Sequence, residues 1–490
     1  MNAAAYLLAT GDSSTTALEC GAQRMSYGEL RDAVARAAGA WLERGLKQGE
    51  RVLVFAPDSI AWVIAYLGTI WAGGVAVGLN SRLFERELSL VLAESGAHFI
   101  WCNESSQALL QRLHADIADP PQLVLDAQWI TDLGAALPVP AAELAEDDEA
   151  LWVYTSGTTG VPKAVRHAQR SVIASADFAR NVLGLSARDR IYASSKMFFA
   201  YALGNSLCAG LRLGATVILD SEWPTAESVA AVVERHRPTA LFSVPTLYLK
   251  MLQAGVAARL AAAGVVRYGS AGEAMPAAVR RAWREATGVA PVSGYGASET
   301  IVLVFYCDDE TALLKPSQRL EYRMRENGDP AAPQRLWLRH PSIALGYWRR
   351  SEAERDSFAD ASFSPGDLFR RRKDGMLELC GRDDDMLKIS GQWVSVLDVE
   401  QALLGASAGS VEGLAAVGFD NAEGLVSIAL FVVAAAGREA QAKERMDAGI
   451  AALPKLKRPR LVKWVSELPL SATGKLQRRK LKELHLGCVA

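Results

Sequence analysis

LWVYTSGTTGVPK, residues 151–163, begins as a buried apolar run and stops abruptly in small hydroxyl and glycine residues, then Pro-Lys. Glycines let a backbone approach an anion, hydroxyls donate to its oxygens, and Lys163 adds positive charge. The stretch therefore predicts a strand followed directly by a phosphate-binding loop. It does not fit the P-loop pattern of G-x-x-x-x-G-K followed by Ser or Thr. Gly157 and Gly160 stand closer together than that pattern requires, and Lys163 follows Pro162. Read alone, these residues leave open a polar Gly/Thr loop with no ligand.

Outward from this stretch, strands and helices alternate. Ser26 and Glu29 in SYGEL predict a capping box for a helix carrying Val34, Ala38, Trp41 and Leu42, ended by Gly45. RVLVFAP reads as a short strand, WPTAESVAAVVERHRP as a helix before the strand TALFSVP, and VVRYGSAGE as another strand ending in small residues. This rhythm predicts an α/β fold of mostly parallel, helix-covered sheets. The uncharged run from Ile60 to Leu79 is about long enough to cross a bilayer. It reads better as a buried helix capped at Asp58, broken at Gly73-Gly74 and followed by the strand VAV.

After Asp367 the texture changes to charge-dense sequence with a hairpin turn at Lys373-Asp374-Gly375. A strand-like GLVSIALFVV and a basic tail follow. We expect two domains, 1–383 and a small α+β unit over 384–490. A chain of 490 residues is too long for a single core.

Composition narrows the function. A net charge of −2 gives no electrostatic case for a nucleic-acid or acidic-membrane partner. The six cysteines are scattered without C-x-x-C spacing, so neither a disulfide framework nor a zinc site is suggested. The N-terminus has no basic segment ahead of an apolar one, and the cytoplasm is the expected location. A homodimer is compatible with the sequence.

YTSGTTGVPK resembles the phosphate-loop signature of the adenylate-forming superfamily, which includes acyl- and aryl-CoA ligases, peptide-synthetase adenylation domains and luciferases. Further motifs follow in that family's order. GYGASET, Gly294 to Thr300, resembles the loop beside adenine and magnesium. PGD, ending at Asp367, resembles the ribose site. GRDDDMLKISGQWVS resembles the interdomain hinge and the segment after it, and LSATGKLQRRKL the C-terminal catalytic-lysine motif. The resemblance covers essentially the whole chain.

It implies a large N-terminal α/β domain and a small mobile C-terminal lid. It also implies ATP contacts from Thr155, Ser156, Gly157, Thr158, Thr159, Gly160 and Lys163. A second set would be Ala271, Gly272 and Glu273, and a third Tyr295, Gly296 and Ser298. Asp367 would accept hydrogen bonds from ribose hydroxyls, with Arg382 on the same ribose or bracing the hinge. Glu299 would be catalytic as the Mg²⁺ ligand, because a hard cation beside phosphates takes carboxylate oxygen. Lys475 would be the catalytic lysine that bridges an attacking carboxylate and the α-phosphate, two anions that otherwise repel. Asp384 would be the hinge, and Ser390, Gly391 and Trp393 would meet coenzyme A.

KMFFAYALGNSL, Lys196 to Leu207, is by composition an ordinary core stripe. It is also very similar to the stretch that lines a flat, short acid pocket in benzoate-CoA ligases. That similarity implies a substrate site from Phe199, Ala200, Tyr201 and Gly204, facing Gly294, Gly296 and Ile301. There are departures. Many benzoate ligases carry a histidine a few residues beyond the acidic residue of the GYGASET-like loop, where this chain has Ile301, Val302 and Leu303. The segment 308–339 lacks the usual glycine pairs.

The resemblance thus implies ATP- and Mg²⁺-dependent activation of benzoate or a small substituted benzoate to aryl-AMP, then transfer to coenzyme A. The alternatives are a carrier-protein phosphopantetheine arm as the thiol, or another small carboxylic acid. A kinase would yield ADP instead, and a nucleotide sensor would show no turnover.

Overall fold

The computed structural model describes residues 1–156, 162–324, 332–372, 374–382, 385–389, 392–421, 425–470 and 476–486. Two large sheets organise the N-terminal part. The first has seven strands, in the order 346–347, 162–168, 149–156, 75–78, 51–55, 99–102, 122–125. Its strands pair in parallel from Glu149–Ser156 outward to Gln122–Leu125. The second has nine strands, with Val292–Tyr295, Arg267–Ser270, Ala240–Ser243, Arg190–Ala193, Thr216–Leu219 and Thr16–Cys20 running parallel. Parallel strands require crossovers, and helices such as Ile60–Trp71 and Ala226–His236 supply them, while Tyr27–Glu43 carries the chain from the nine-stranded sheet to the seven-stranded one.

Local chemistry sets these elements. Ser26 and Glu29 form the expected capping box, and Val34, Ala38 and Trp41 are buried, but Leu42 is 45% exposed. The apolar run from Ile60 is a helix of 12 residues ending at Trp71, and Val75–Gly78 is the strand after it. Ser59 caps that helix by accepting the Trp62 N–H at 3.0 Å. Asp58, expected to be the cap, instead accepts a hydrogen bond from Met197. Among the described residues no helix is long and apolar enough to cross a membrane.

Between the large sheets and the C-terminal part lies an antiparallel sheet that includes Gln334–Arg339, Asp367–Arg371 and Leu377–Arg382. Beyond it, Val411–Asp420, Val426–Ala434 and Leu461–Trp464 form a three-stranded sheet against helices Val396–Ala406 and Glu439–Ala452. Its core, centred on Val399, Leu403, Leu430 and Met446, is separate from the N-terminal cores. The architecture is therefore a large α/β part followed by a small α+β part.

Candidate active site

The predicted phosphate loop connects two antiparallel strands. Glu149–Ser156 pairs with Pro162–Ala168, with Thr155 opposite Lys163 and Ser156 opposite Pro162. The loop therefore joins two antiparallel sheet strands, with Lys163 near the start of the second. Gly157, Thr158, Thr159 and Gly160 lie outside the described residues, as do Asp384, Ser390, Gly391 and Lys475.

From Lys163 a chain of contacts runs through the site. Its ammonium sits 4.5 Å from the centre of the Tyr347 ring. The strand Gly346–Tyr347 pairs with Pro162–Ala168, which places the ring. The Tyr347 hydroxyl donates to Glu299 Oε1 at 2.7 Å, and the Glu299 carbonyl accepts the Ala344 N–H at 2.8 Å. Burial, and then the Glu299 charge, push the Tyr347 hydroxyl far above its usual range, so it remains a donor.

The Gly294–Thr300 loop is held from two sides. His167 Nε2 lies 2.8 Å from the Ser298 carbonyl, so that nitrogen carries the proton and donates. Burial lowers the imidazole to about 4, which keeps it neutral. Thr300 Oγ1 accepts the Ala297 N–H at 3.0 Å and donates to the Val302 carbonyl at 2.9 Å. A Cβ on Gly296 would come within 2.6 Å of the Val302 carbonyl oxygen, and one on Gly294 would overlap the Leu303 side chain.

Tyr295 leads to the ribose motif. Its hydroxyl donates to Asp367 Oδ2 at 2.6 Å, and its ring meets Phe369 edge-on at 5.3 Å. Asp367 and Arg382 are cross-strand partners. Burial first, then the Asp367 carboxylate, raise the Tyr295 hydroxyl well above its usual range. Ala271 is buried, while Gly272 and Glu273 are exposed after the strand Arg267–Ser270, with Gly272 at φ +89°. Trp393 is 45% exposed on the hairpin of Met386–Ile389 and Gln392–Ser395, with the Lys388 ammonium 5.7 Å from its ring centre.

The KMFFAYALGN segment forms a π-helical turn at Leu203–Cys208, an uncommon geometry that recurs at functional sites. It is docked against residues 301–303. A Cβ on Gly204 would overlap the Ile301 carbonyl oxygen, and Ile301 itself is at φ +51°, unusual for a β-branched residue. Asn205 Oδ1 accepts the Leu303 N–H at 3.2 Å, and its amide donates to the Tyr201 carbonyl at 3.0 Å. The Tyr201 hydroxyl donates to the Ser243 carbonyl at 3.3 Å. Phe198 and Phe199 pack with ring centres 4.3 Å apart.

The structure thus brings Lys163, Glu299, Tyr295, Asp367 and Arg382 into one connected region, and Gly204 against Ile301. Sequence reasoning missed Tyr347, His167 and Asn205. Strand alternation places His167 on the same face as Lys163, a signal that was available. Among the described residues no group of three or more His, Cys, Asp or Glu could hold a metal. Mg²⁺ commonly takes only one or two carboxylates together with substrate phosphates, so Glu299 fits that donor set. A separate open groove of about 810 Å³ in the C-terminal part, lined by Trp464, Leu470, Lys480 and Leu484, contains none of these residues.

Comparison with known proteins places this geometry in context. Residues 8–348 match the family described as AMP-binding enzyme. The chain is 38% identical to a 3-hydroxybenzoate–CoA ligase of Aromatoleum sp. (strain CIB), over 97% of this chain and 95% of that protein. A crystal structure of a benzoate CoA ligase from Burkholderia xenovorans LB400 superposes with TM-score 0.88 at 31% identity, covering 99% of this chain and all of that one. An anthranilate CoA ligase in complex with anthranoyl-AMP superposes with TM-score 0.90 at 27% identity, covering 99% and 97%.

Proposed function

The chain belongs to the AMP-binding enzyme family, and from that premise we propose that it activates benzoate or a small substituted benzoate and passes the aryl group to coenzyme A. It is an AMP-forming acid–thiol ligase that uses ATP, Mg²⁺ and coenzyme A. The observation that carries the aryl reading is the apposition of Gly204 and Ile301, which leaves no room for a side chain between them. The Phe199–Gly204 segment and the Gly294–Ile301 loop, which meet at that point, would together line the site for a flat ring. The relatives named above act on such acids, which supports the same choice. With Ile301, Val302 and Leu303 in the region where many benzoate ligases have a histidine, apolar contact rather than an imidazole would meet the ring.

The chemistry runs in two steps. A carboxylate oxygen of the acid attacks the α-phosphorus of ATP, and pyrophosphate leaves. The coenzyme A sulfur then attacks the acyl carbon, its proton is lost, and AMP departs with the oxygen that came from the acid. Lys163, with the backbone and hydroxyls of Thr155, Ser156, Gly157, Thr158, Thr159 and Gly160, would hold the β- and γ-phosphates. Ala271, Gly272, Glu273, Gly296 and Ser298 would flank the adenine side, and Asp367 and Arg382 the ribose. Glu299 would hold Mg²⁺, which when bound neutralises phosphate charge. Lys475 would bridge the two reacting anions.

Residues 384–490 would act as a lid hinged at Asp384 on residues 1–383, with Ser390, Gly391 and Trp393 toward coenzyme A. A panel of small acids incubated with ATP and coenzyme A, followed by mass spectrometry of the thioester, tests the reading. Benzoate or hydroxybenzoates should give the fastest thioester formation. Preference for an aliphatic acid, or transfer only to a carrier-protein phosphopantetheine, would overturn it.

A further inference from the structure

Beneath the aromatic wall lie a buried carboxyl and a buried lysine, Asp58 and Lys196, with no role in the chemistry above. Asp58 is 3% exposed, in the turn between strand Arg51–Phe55 of the seven-stranded sheet and helix Ile60–Trp71. Its two carboxylate oxygens share the Met197 N–H at 3.2 and 3.1 Å. Met197 follows strand Arg190–Ala193 of the nine-stranded sheet, so one hydrogen-bonded turn joins the two sheets. Next to it, Lys196, 5% exposed, donates from Nζ to the Asp220 carbonyl at 2.6 Å. The Lys196 carbonyl accepts the Phe199 N–H at 3.0 Å, closing the turn from which Phe198 and Phe199 project.

The wall is packed closely from the other side too. A Cβ on Gly78 would stand 2.8 Å from the Trp62 ring and 3.5 Å from the Phe198 Cα. Burying a carboxylate is costly, and Asp58 is pushed up to about 7 by burial, opposed by the Lys196 charge. The titratable and charged groups around it are Lys196, Asp220, Tyr192 and Cys20, with Glu222 acting on Lys196. A site that needed only sheet-to-sheet packing would be better served by an apolar residue.

We propose that Asp58 is a positioning residue for the acid substrate: by fixing the Met197 backbone it sets where the Phe198–Tyr201 wall stands, without touching the substrate. The proposal rests on the aryl reading of that wall. Kinetics of the full-length enzyme test it, with acid and ATP varied separately and a melting curve as control. Asp58→Ala should raise the KM for the aryl acid roughly tenfold while the ATP KM stays within about twofold. Asp58→Asn keeps one oxygen for the Met197 N–H and should bring the acid KM back to within about threefold of wild type.

An unchanged acid KM in Asp58→Ala, or equal rises in both KM values, would overturn the proposal. Where Asp58→Ala does not fold, the Asn variant carries the test through its pH profile. The wild-type acid KM should rise toward that of the Asn variant, by no more than about threefold, as pH falls through about 7, where the carboxyl takes up a proton, and the Asn variant should stay flat. Parallel profiles would overturn the proposal. A wild type that makes no aryl-CoA removes the substrate reading and this proposal with it. Aryl-CoA formation that is indifferent to Asp58 removes this proposal alone.

Discussion

The Tyr347 hydroxyl donates to Glu299 Oε1 at 2.7 Å while the ammonium of Lys163 stands over the same ring at 4.5 Å. One tyrosine therefore joins the phosphate-loop lysine to the proposed Mg²⁺ ligand. Tyr347→Phe keeps the ring and the cation–π contact and removes only the donor. We predict that the Mg²⁺ concentration for half-maximal rate rises about fivefold, the equivalent of a hydrogen bond of about 1 kcal/mol. Glu299→Gln should raise it further, because a neutral amide is a poor ligand for a hard cation. A Mg²⁺ titration that is the same in wild type and Glu299→Gln would remove Glu299 from the metal site.

Asp367 is tied to Tyr295 at 2.6 Å and paired across strands with Arg382. Asp367→Ala should raise the ATP KM about tenfold or more while the acid KM stays within about twofold, because the proposed ribose acceptors are lost together with the acceptor of the Tyr295 hydroxyl. Tyr295→Phe should have a smaller effect in the same direction. An unchanged ATP KM in Asp367→Ala would show that the carboxylate does not meet the nucleotide.

Two glycines give a matched contrast. Gly204→Ala drives a Cβ into the Ile301 carbonyl oxygen, with backbone on both sides, and should cost about 1–3 kcal/mol and slow turnover of aryl acids. Gly405, in helix Val396–Ala406, has open space where a Cβ would go, so Gly405→Ala should gain up to about 1 kcal/mol. Thermal unfolding of both variants, with aryl-acid kinetics for the first, checks this.

The pH dependence of stability has two opposing parts. His167 and His340 are both lowered from 6.5 to about 4, chiefly by burial. Between those values the unfolded chain binds more protons, so their contribution is full above about pH 6.5 and is lost as pH falls toward 4, on the order of 3 kcal/mol each. Asp58 runs the other way. Raised from 3.8 to about 7, it destabilises the fold progressively as pH rises through that window. In a melting series from pH 5 to 8, Asp58→Asn should therefore gain on wild type as pH rises. A constant offset would mean that Asp58 does not titrate there.

Much of the fold is visible in local sequence because its causes are local. The Ser26–Glu29 capping box lies within four residues, and the 12-residue helix from Ile60 ends where glycine permits φ +88° at Gly73. Asp58 and Ser59 both look like caps. Only the fold reveals that Asp58 is claimed by Met197, 139 residues away, and that Ser59 caps the helix. The same limit hides the supports of the site. His167 reaches Ser298 across 131 positions, Asn205 reaches Leu303 across 98, and Tyr347 reaches Glu299 across 48. Leu42 fits the helical period but falls at the edge of the buried face, where it is 45% exposed.

The central claim is that the acid passes through an acyl-adenylate. If a carboxylate oxygen bonds to the α-phosphorus and the sulfur later attacks the acyl carbon, that oxygen must leave with AMP. Benzoate, or the best acid of the panel, labelled with ¹⁸O in both carboxylate positions should yield AMP carrying one labelled oxygen, alongside unlabelled pyrophosphate and aryl-CoA that keeps the second label in its thioester carbonyl. ADP as the nucleotide product, or AMP without label, would contradict the account.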